Sequence, residues 1–193
     1  MKKIIMMAVA AFMAFTANAQ TEAGTFTLQP KVGMNLADMT DYEDSKMKVG
    51  LAAGVEAEYA LASNMSLAAG VLYSMQGAKA DEGDFKTKMD YINIPIVFNY
   101  YIIPGLAVKA GVQPAFLVNA KADDGDEDED IKDLANSFDL SIPVGLSYEY
   151  KSFVLDARYN IGMTKIWKSD YEELLGKSKN SVFQITLGYK FAL

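Results

Sequence analysis

From residue 182 to residue 191 the chain alternates strictly. Phe183, Ile185, Leu187, Tyr189 and Phe191 share one parity, and Val182, Gln184, Thr186, Gly188 and Lys190 share the other. Residues 153–164 repeat the pattern, with Phe153, Leu155, Ala157, Tyr159, Ile161 and Met163 set against Val154, Asp156, Arg158, Asn160, Gly162 and Thr164. A helix would have to bury Asp156 or Arg158 on its apolar side, whereas an extended strand separates the two sets cleanly. The same period predicts eight strands, over 26–36, 47–60, 65–76, 89–101, 106–118, 138–150, 153–164 and 181–192. Each is long enough for a tilted membrane strand, which needs ~9–11 residues.

The connections alternate in length. Leu61–Asn64, Ile102–Gly105 and Lys151–Ser152 are short, while 37–46, 77–88, 119–137 and 165–180 are long. Short turns on one side and long loops on the other are the pattern of an outer-membrane barrel, with turns in the periplasm and loops outside. The fold expected is therefore all-β: an eight-stranded antiparallel transmembrane β-barrel. Tyr59, Tyr100, Tyr101, Tyr148, Tyr150, Phe153, Tyr189 and Phe191 cluster at the strand ends beside the short turns, where a periplasmic aromatic girdle belongs. Pro30, Pro95, Pro114 and Pro143 lie inside predicted strands, and proline cannot donate to a ladder, so bulges or ragged ends are expected there.

The N-terminus has a different pattern. Lys2 and Lys3 precede a twelve-residue apolar run, Ile4–Phe15, and then Ala17-Asn18-Ala19. That is the layout of a cleaved signal peptide over 1–19, and the run is too short for a membrane core needing ~20 helical residues. The barrel domain is then 20–193, and no Cys follows the cleavage site to carry a lipid. Beyond residue 19 the longest stretch free of charged and Asn/Gln/Ser/Thr residues is Tyr100–Val108, interrupted by Pro104-Gly105. A closed barrel is the remaining way to span a bilayer, because every backbone polar group must find an internal partner.

Composition narrows the chemistry. The chain holds no Cys and no His, which removes disulfides, thiolate sites and every Ser-His-Asp mechanism. The net charge of −7 becomes −9 without Lys2 and Lys3, a poor match to nucleic acid. The four long loops carry 18 of the 25 acidic residues and sum to −8. On the inward parity, Lys31, Lys48, Lys109, Arg158 and Lys190 face Glu56, Glu58, Asp139, Glu149 and Asp156. Eight strands enclose an interior just wide enough for side chains to fill, and charges buried there must be paired. The equal count predicts a lumen ion-pair network and a plugged interior. Asp156 and Arg158 are read as members of that network, since as a catalytic pair they lack a nucleophile and a suitable base.

Two motifs stand out in the long loops. Asp123-Asp124-Gly125-Asp126-Glu127-Asp128-Glu129-Asp130 offers carboxylates for a hard cation, but the calcium-loop spacing fails at its sixth position, Glu129, and its twelfth, Ala135. A solvated mobile loop is expected instead. Ser169-Asp170-Tyr171-Glu172 has the form of a capping box before Leu174-Leu175-Gly176, and Trp167 just ahead of it is expected to anchor in the outer leaflet.

The segments also resemble the porin-family outer-membrane β-barrel proteins, the group that includes PorT-like proteins. The carriers are Lys31-Val32-Gly33-Met34-Asn35-Leu36, Tyr73-Ser74-Met75-Gln76-Gly77, Tyr91-Ile92-Asn93-Ile94-Pro95, Leu155-Asp156-Ala157-Arg158-Tyr159-Asn160-Ile161-Gly162 and Leu187-Gly188-Tyr189-Lys190-Phe191. The resemblance covers residues 25–191, and the Ile-Pro of the fourth segment is a habit of the family. It implies an outer-membrane location and an encounter with the insertion machinery, whose terminal aromatic signal is here displaced by Ala192 and Leu193. It does not imply an activity. The expected role is a non-enzymatic barrel without cofactor or metal, in contact with membrane lipids and lipopolysaccharide, presenting acidic loops for surface contact or envelope integrity. A small-solute porin, a PorT-like secretion or assembly component and an outer-membrane lipid hydrolase are the rivals, the last weakened by the lack of His.

Overall fold

The computed structural model describes residues 22–40, 45–80, 85–124, 128–171 and 176–193. The expected signal peptide lies outside the described residues. The strands are β1 (Phe26–Met39), β2 (Ser45–Ala62), β3 (Met65–Ala80), β4 (Lys86–Asn93), β5 (Ile96–Ile103), β6 (Leu106–Asp123), β7 (Asp128–Asp130), β8 (Phe138–Tyr150), β9 (Phe153–Gly162), β10 (Asn180–Tyr189) and β11 (Phe191–Ala192).

These segments make eight walls of one barrel. β4 and β5 are consecutive halves of a single wall, both lying between β3 and β6, and β11 continues β10 along β1. The ring closes where β1 pairs antiparallel with β10, from Lys31↔Gly188 to Met39↔Asn180. Closure leaves no open sheet edge in the wall, which is what a strand structure needs in hydrocarbon. The turns are as tight as the sequence implies, and two of them use the left-handed region, at Gly105 (φ 82) and Lys151 (φ 56).

The prolines interrupt the ladders rather than fraying the ends. The fourth wall breaks at Ile94-Pro95, opposite Pro114, where the Ile94 amide donates to the Pro114 carbonyl at 2.8 Å. Pro30 faces the gap between β10 and β11, and Pro143 faces the gap in the β6–β8 ladder between Ala110↔Val144 and Gln113↔Ser141. Each proline thus sits beside a missing rung, where the absent N–H costs no ladder bond.

Parity sorts the side chains as expected. Val32, Val55, Val71, Leu146, Leu155 and Leu187 are exposed outward, while Gln29, Asn35, Ser74, Asn99, Gln184 and Thr186 are buried inward. The outside is apolar and the inside polar, the reverse of a water-soluble protein. At the turn end Tyr59, Tyr100, Tyr150, Phe153, Tyr189 and Phe191 are exposed, with the Tyr189 ring touching those of Phe153 and Phe191. Tyr101 is a correction to that girdle: its hydroxyl turns into the lumen and donates to Glu58 at 2.7 Å.

The lumen as candidate functional site

At the centre of the barrel lies Arg158, on β9. Its Nε and Nη2 donate to the two oxygens of Asp156 at 2.7 and 2.8 Å. Its Nη1 and Nη2 donate to the two oxygens of Glu56 on β2, at 2.7 and 2.8 Å. β9 and β2 are separated by β10 and β1 around the ring, so the guanidinium is a strut across the lumen. Only a planar fork with five donors can grip two carboxylates this way. Lys31 reaches Glu56 at 2.8 Å and Asp156 at 3.6 Å, and Lys109 donates to Asp156. Gly145 pairs with Arg158 in the ladder, and a Cβ there would lie 2.2 Å from the Ala157 carbonyl oxygen. Any side chain at 145 would therefore press on the β9 backbone beside the bulkiest lumen side chain.

A second cluster fills the periplasmic end. Lys190 contacts Glu149 at 2.6 Å and Glu58 at 3.1 Å. Glu58 also accepts from Ser66 at 2.6 Å and from Tyr101, and Asn99 donates to Ser66 at 2.9 Å. The central cluster has three cations and two carboxylates, and the lower one has one cation and two carboxylates. The two imbalances are equal and opposite.

Two expected members of the network have other partners. Lys48 donates to the Gln76 carbonyl at 2.8 Å. Asp139 accepts from Thr164 and from Asn180, the latter at 3.1 Å. Among the described residues both hold neutral partners, because they sit higher up the barrel than Arg158 and beyond its reach. Asn180 also donates to the Tyr91 hydroxyl at 3.3 Å, joining β10 to β4 on the opposite wall.

Above this level an apolar cluster forms beside the buried polar residues Gln76, Thr87 and Asp90. Met39, Ala78, Met89, Tyr91, Leu117, Ala120, Ala135, Ile166 and Trp167 form one buried cluster, with Ile131 and Leu134 packed on it. Trp167 is only 6% exposed, so it is not the expected outer-leaflet anchor. It is drawn inward by a link between two external loops, a bridge between Ala135 and Trp167 reinforced by Asn136, whose side-chain amide donates to the Lys165 and Trp167 carbonyls at 3.0 and 2.9 Å. Parity reasoning missed this cap because it has no period. Its only trace in the sequence is the presence of Ile131, Leu134, Ile166 and Trp167 within highly charged loops. The expected capping box appears as a single 3-10 turn at Ser169–Tyr171, and Glu172 to Leu175 lie outside the described residues.

The acidic run is paired at its two ends, while residues 125–127, on which the expectation of a mobile loop also falls, lie outside the described residues. β6 extends to Asp123 and pairs with β7, and Lys88 bridges Asp123 at 2.7 Å and Asp128 at 3.0 Å, with Lys121 at 3.4 Å from Asp128. Hydrogen bonding from Lys88 holds the Asp128 carboxyl below its ordinary pKa, and hydrogen bonding to Asp123 raises that of Lys88. Two lysines thus take up part of the repulsion that would otherwise keep the run apart.

A profile described as "Outer membrane protein beta-barrel domain" matches residues 18–168. Among solved structures, Neisserial surface protein A is 16% identical with a TM-score of 0.54, over 86% of this chain and 97% of that one. The attachment invasion locus protein Ail of Yersinia pestis is 15% identical with a TM-score of 0.51, over 88% and 99%. The outer membrane protein OprG from Pseudomonas aeruginosa is 16% identical with a TM-score of 0.51, over 92% and 100%. At these identities the likeness is one of fold. No curated protein matches the chain.

Proposed function

Because the chain belongs to the outer membrane protein beta-barrel family and resides in the outer membrane, we propose that it acts as a closed, non-enzymatic barrel that holds its external loops in a fixed arrangement for surface contact or envelope integrity. The observation that carries this reading is the Arg158 strut, which ties β9 to β2 through Glu56 with Lys31 and Lys109 at its sides. The apolar cap around Trp167 supports it by filling the external mouth. The absence of His and Cys argues against catalysis, and the two central carboxylates are each held by cations rather than poised to move a proton. Export by a cleaved leader over residues 1–19 belongs to the same proposal.

A small-solute pore is the competing reading. Among the described residues, the side-chain atoms Asn93 Nδ2 and Oδ1, Asn99 Oδ1, Asn160 Oδ1 and Thr186 Oγ1 are buried without a hydrogen-bond partner, and water is the natural partner for such groups. Isolated waters fit a closed barrel, whereas a continuous file fits a pore. Planar-bilayer recording separates the two. The closed reading expects a flat baseline from purified wild-type protein, and steady, reproducible openings would overturn it.

A further inference from the structure

Asp139 differs from the other inward carboxylates. Glu56, Glu58, Glu149 and Asp156 each touch a lysine or arginine, whereas Asp139, 6% exposed on β8, meets none among the described residues. Its neighbours are neutral: the Thr164 hydroxyl donates to Oδ1, and Asn180 Nδ2 donates to Oδ2 at 3.1 Å. Lys48, the remaining inward cation, is held by the Gln76 carbonyl and faces Asp90 instead. A buried charge with no opposite charge beside it is costly, so this level of the lumen is short of one positive charge.

Oxygen atoms without partners mark the place. Asn180 Oδ1 and Ser178 Oγ have no hydrogen bond among the described residues, although Asn180 is 3% and Ser178 0% exposed. Ser178 lies two residues before Asn180, on the segment that enters β10. The Asn180 Nδ2 that donates to Asp139 also donates to the Tyr91 hydroxyl at 3.3 Å. Turning the Asn180 amide over exchanges its nitrogen for its oxygen, and that oxygen then stands 3.1 Å from Asp139 Oδ2 and 3.3 Å from Tyr91 Oη. Without a cation, this sets an oxygen against a carboxylate. With one, it makes three convergent ligands, from β10, β8 and β4. The other end of the amide is served by water in either orientation, since water both donates and accepts.

We propose that Asp139, Asn180 and Tyr91 hold a sodium ion beneath the Trp167 cap, with water completing its shell. Spacing is the first argument. Oxygens 3.1–3.3 Å apart are adjacent corners of an octahedron around a cation bound at about 2.3 Å, which suits Ca²⁺ and the equally large Na⁺ and is too long for Mg²⁺. Charge is the second argument. One carboxylate and two neutral oxygens balance a single positive charge, which selects sodium over calcium. Ligand type is the third, because an all-oxygen set suits a hard cation. The ion ties β8, β10 and β4 together across the external half of the lumen, as Arg158 ties β9 to β2 at the centre.

The site does not depend on whether the lumen conducts. The test is urea unfolding of the purified full chain in neutral detergent, with N-methylglucamine chloride replaced stepwise by sodium chloride at constant ionic strength. An ion bound only by the folded chain multiplies the folded-to-unfolded ratio by 1 + [Na⁺]/Kd, so well above Kd the ratio rises about ten-fold for each ten-fold rise in sodium. Asp139→Asn should flatten that dependence. Tyr91→Phe, which removes one oxygen and keeps the ring, should shift it to higher sodium, and Lys48→Met should leave it unchanged. Heat-modifiable migration establishes that each variant is folded, and Tyr91→Phe decides the matter if Asp139→Asn is not. A wild-type ratio indifferent to sodium, a dependence that survives Asp139→Asn or is unshifted in Tyr91→Phe, or a larger effect of calcium at equal concentration that Asp139→Asn removes would overturn the proposal.

Discussion

The central cluster makes an asymmetric prediction about its own dismantling. With Arg158, Lys31 and Lys109 against Glu56 and Asp156, it carries one excess positive charge. Removing Arg158 leaves two lysines and two carboxylates, with Lys31 still on Glu56 and Lys109 still on Asp156. Removing Glu56 leaves three cations and Asp156 alone. Deleting one partner of a buried pair costs ~3–5 kcal/mol when it strands an uncompensated charge. Glu56→Gln should therefore lose about 3–5 kcal/mol. Arg158→Met should lose only about 1–3 kcal/mol, because the hydrogen bonds it forfeits are offset by the release of a desolvated guanidinium. The double variant keeps Lys31, Lys109 and Asp156, and so restores the original excess of one. It should be more stable than Glu56→Gln alone, which is a coupling the single variants cannot reveal. Urea unfolding in detergent micelles, followed by the fluorescence of the single tryptophan Trp167, measures all three. If Arg158→Met proved costlier than Glu56→Gln, or if the double variant were the least stable, charge excess would not be what governs the lumen.

Facing is tested by Leu155, which is 53% exposed on the outward side of β9. Leu155→Arg should cost ~2–4 kcal/mol in the same assay, and neutralising a lumen carboxylate should not rescue it. Intact-mass measurement of protein purified from outer membranes should give a chain beginning at Gln20, and a mass that includes residues 1–19 would remove the leader proposal. Protease added to intact cells should cut within 119–137 and spare 102–105, and the converse would invert the barrel. The β6–β7 hairpin should respond to pH through Asp128 and Lys88. The lowered Asp128 pKa means that its contribution is present above the ordinary carboxylate range and is lost as pH falls through the lowered value. The raised Lys88 pKa means that its contribution persists through neutral pH and is lost as pH rises through the raised value. Protection of the Lys121–Asp123 amides from exchange, taken relative to the intrinsic rate at each pH, should therefore fall in acid, and Lys88→Ala should weaken that response, leaving what Lys121 contributes.

The sequence by itself determined the walls of this protein. Alternation is a local property of an extended chain, so Leu155 and Arg158 reveal opposite faces without any knowledge of their neighbours. The turns at Pro104-Gly105 and Lys151-Ser152 are equally local. That is why eight walls, their facing and the inward set of charges were legible. Only the tertiary structure decided which of those charges meet. Lys48 and Asp139 share the inward parity of Lys31 and Asp156, yet their height in the barrel gives them Gln76, Thr164 and Asn180 instead. Height depends on how the strands are staggered around the closed ring, which no single strand encodes. Trp167 is the clearest case. Its surroundings in sequence suggested the membrane interface, but its burial follows from a link to Ala135, on another loop. Burial of an irregular loop is set by what it finds across the barrel mouth, and that is a property of the assembled fold.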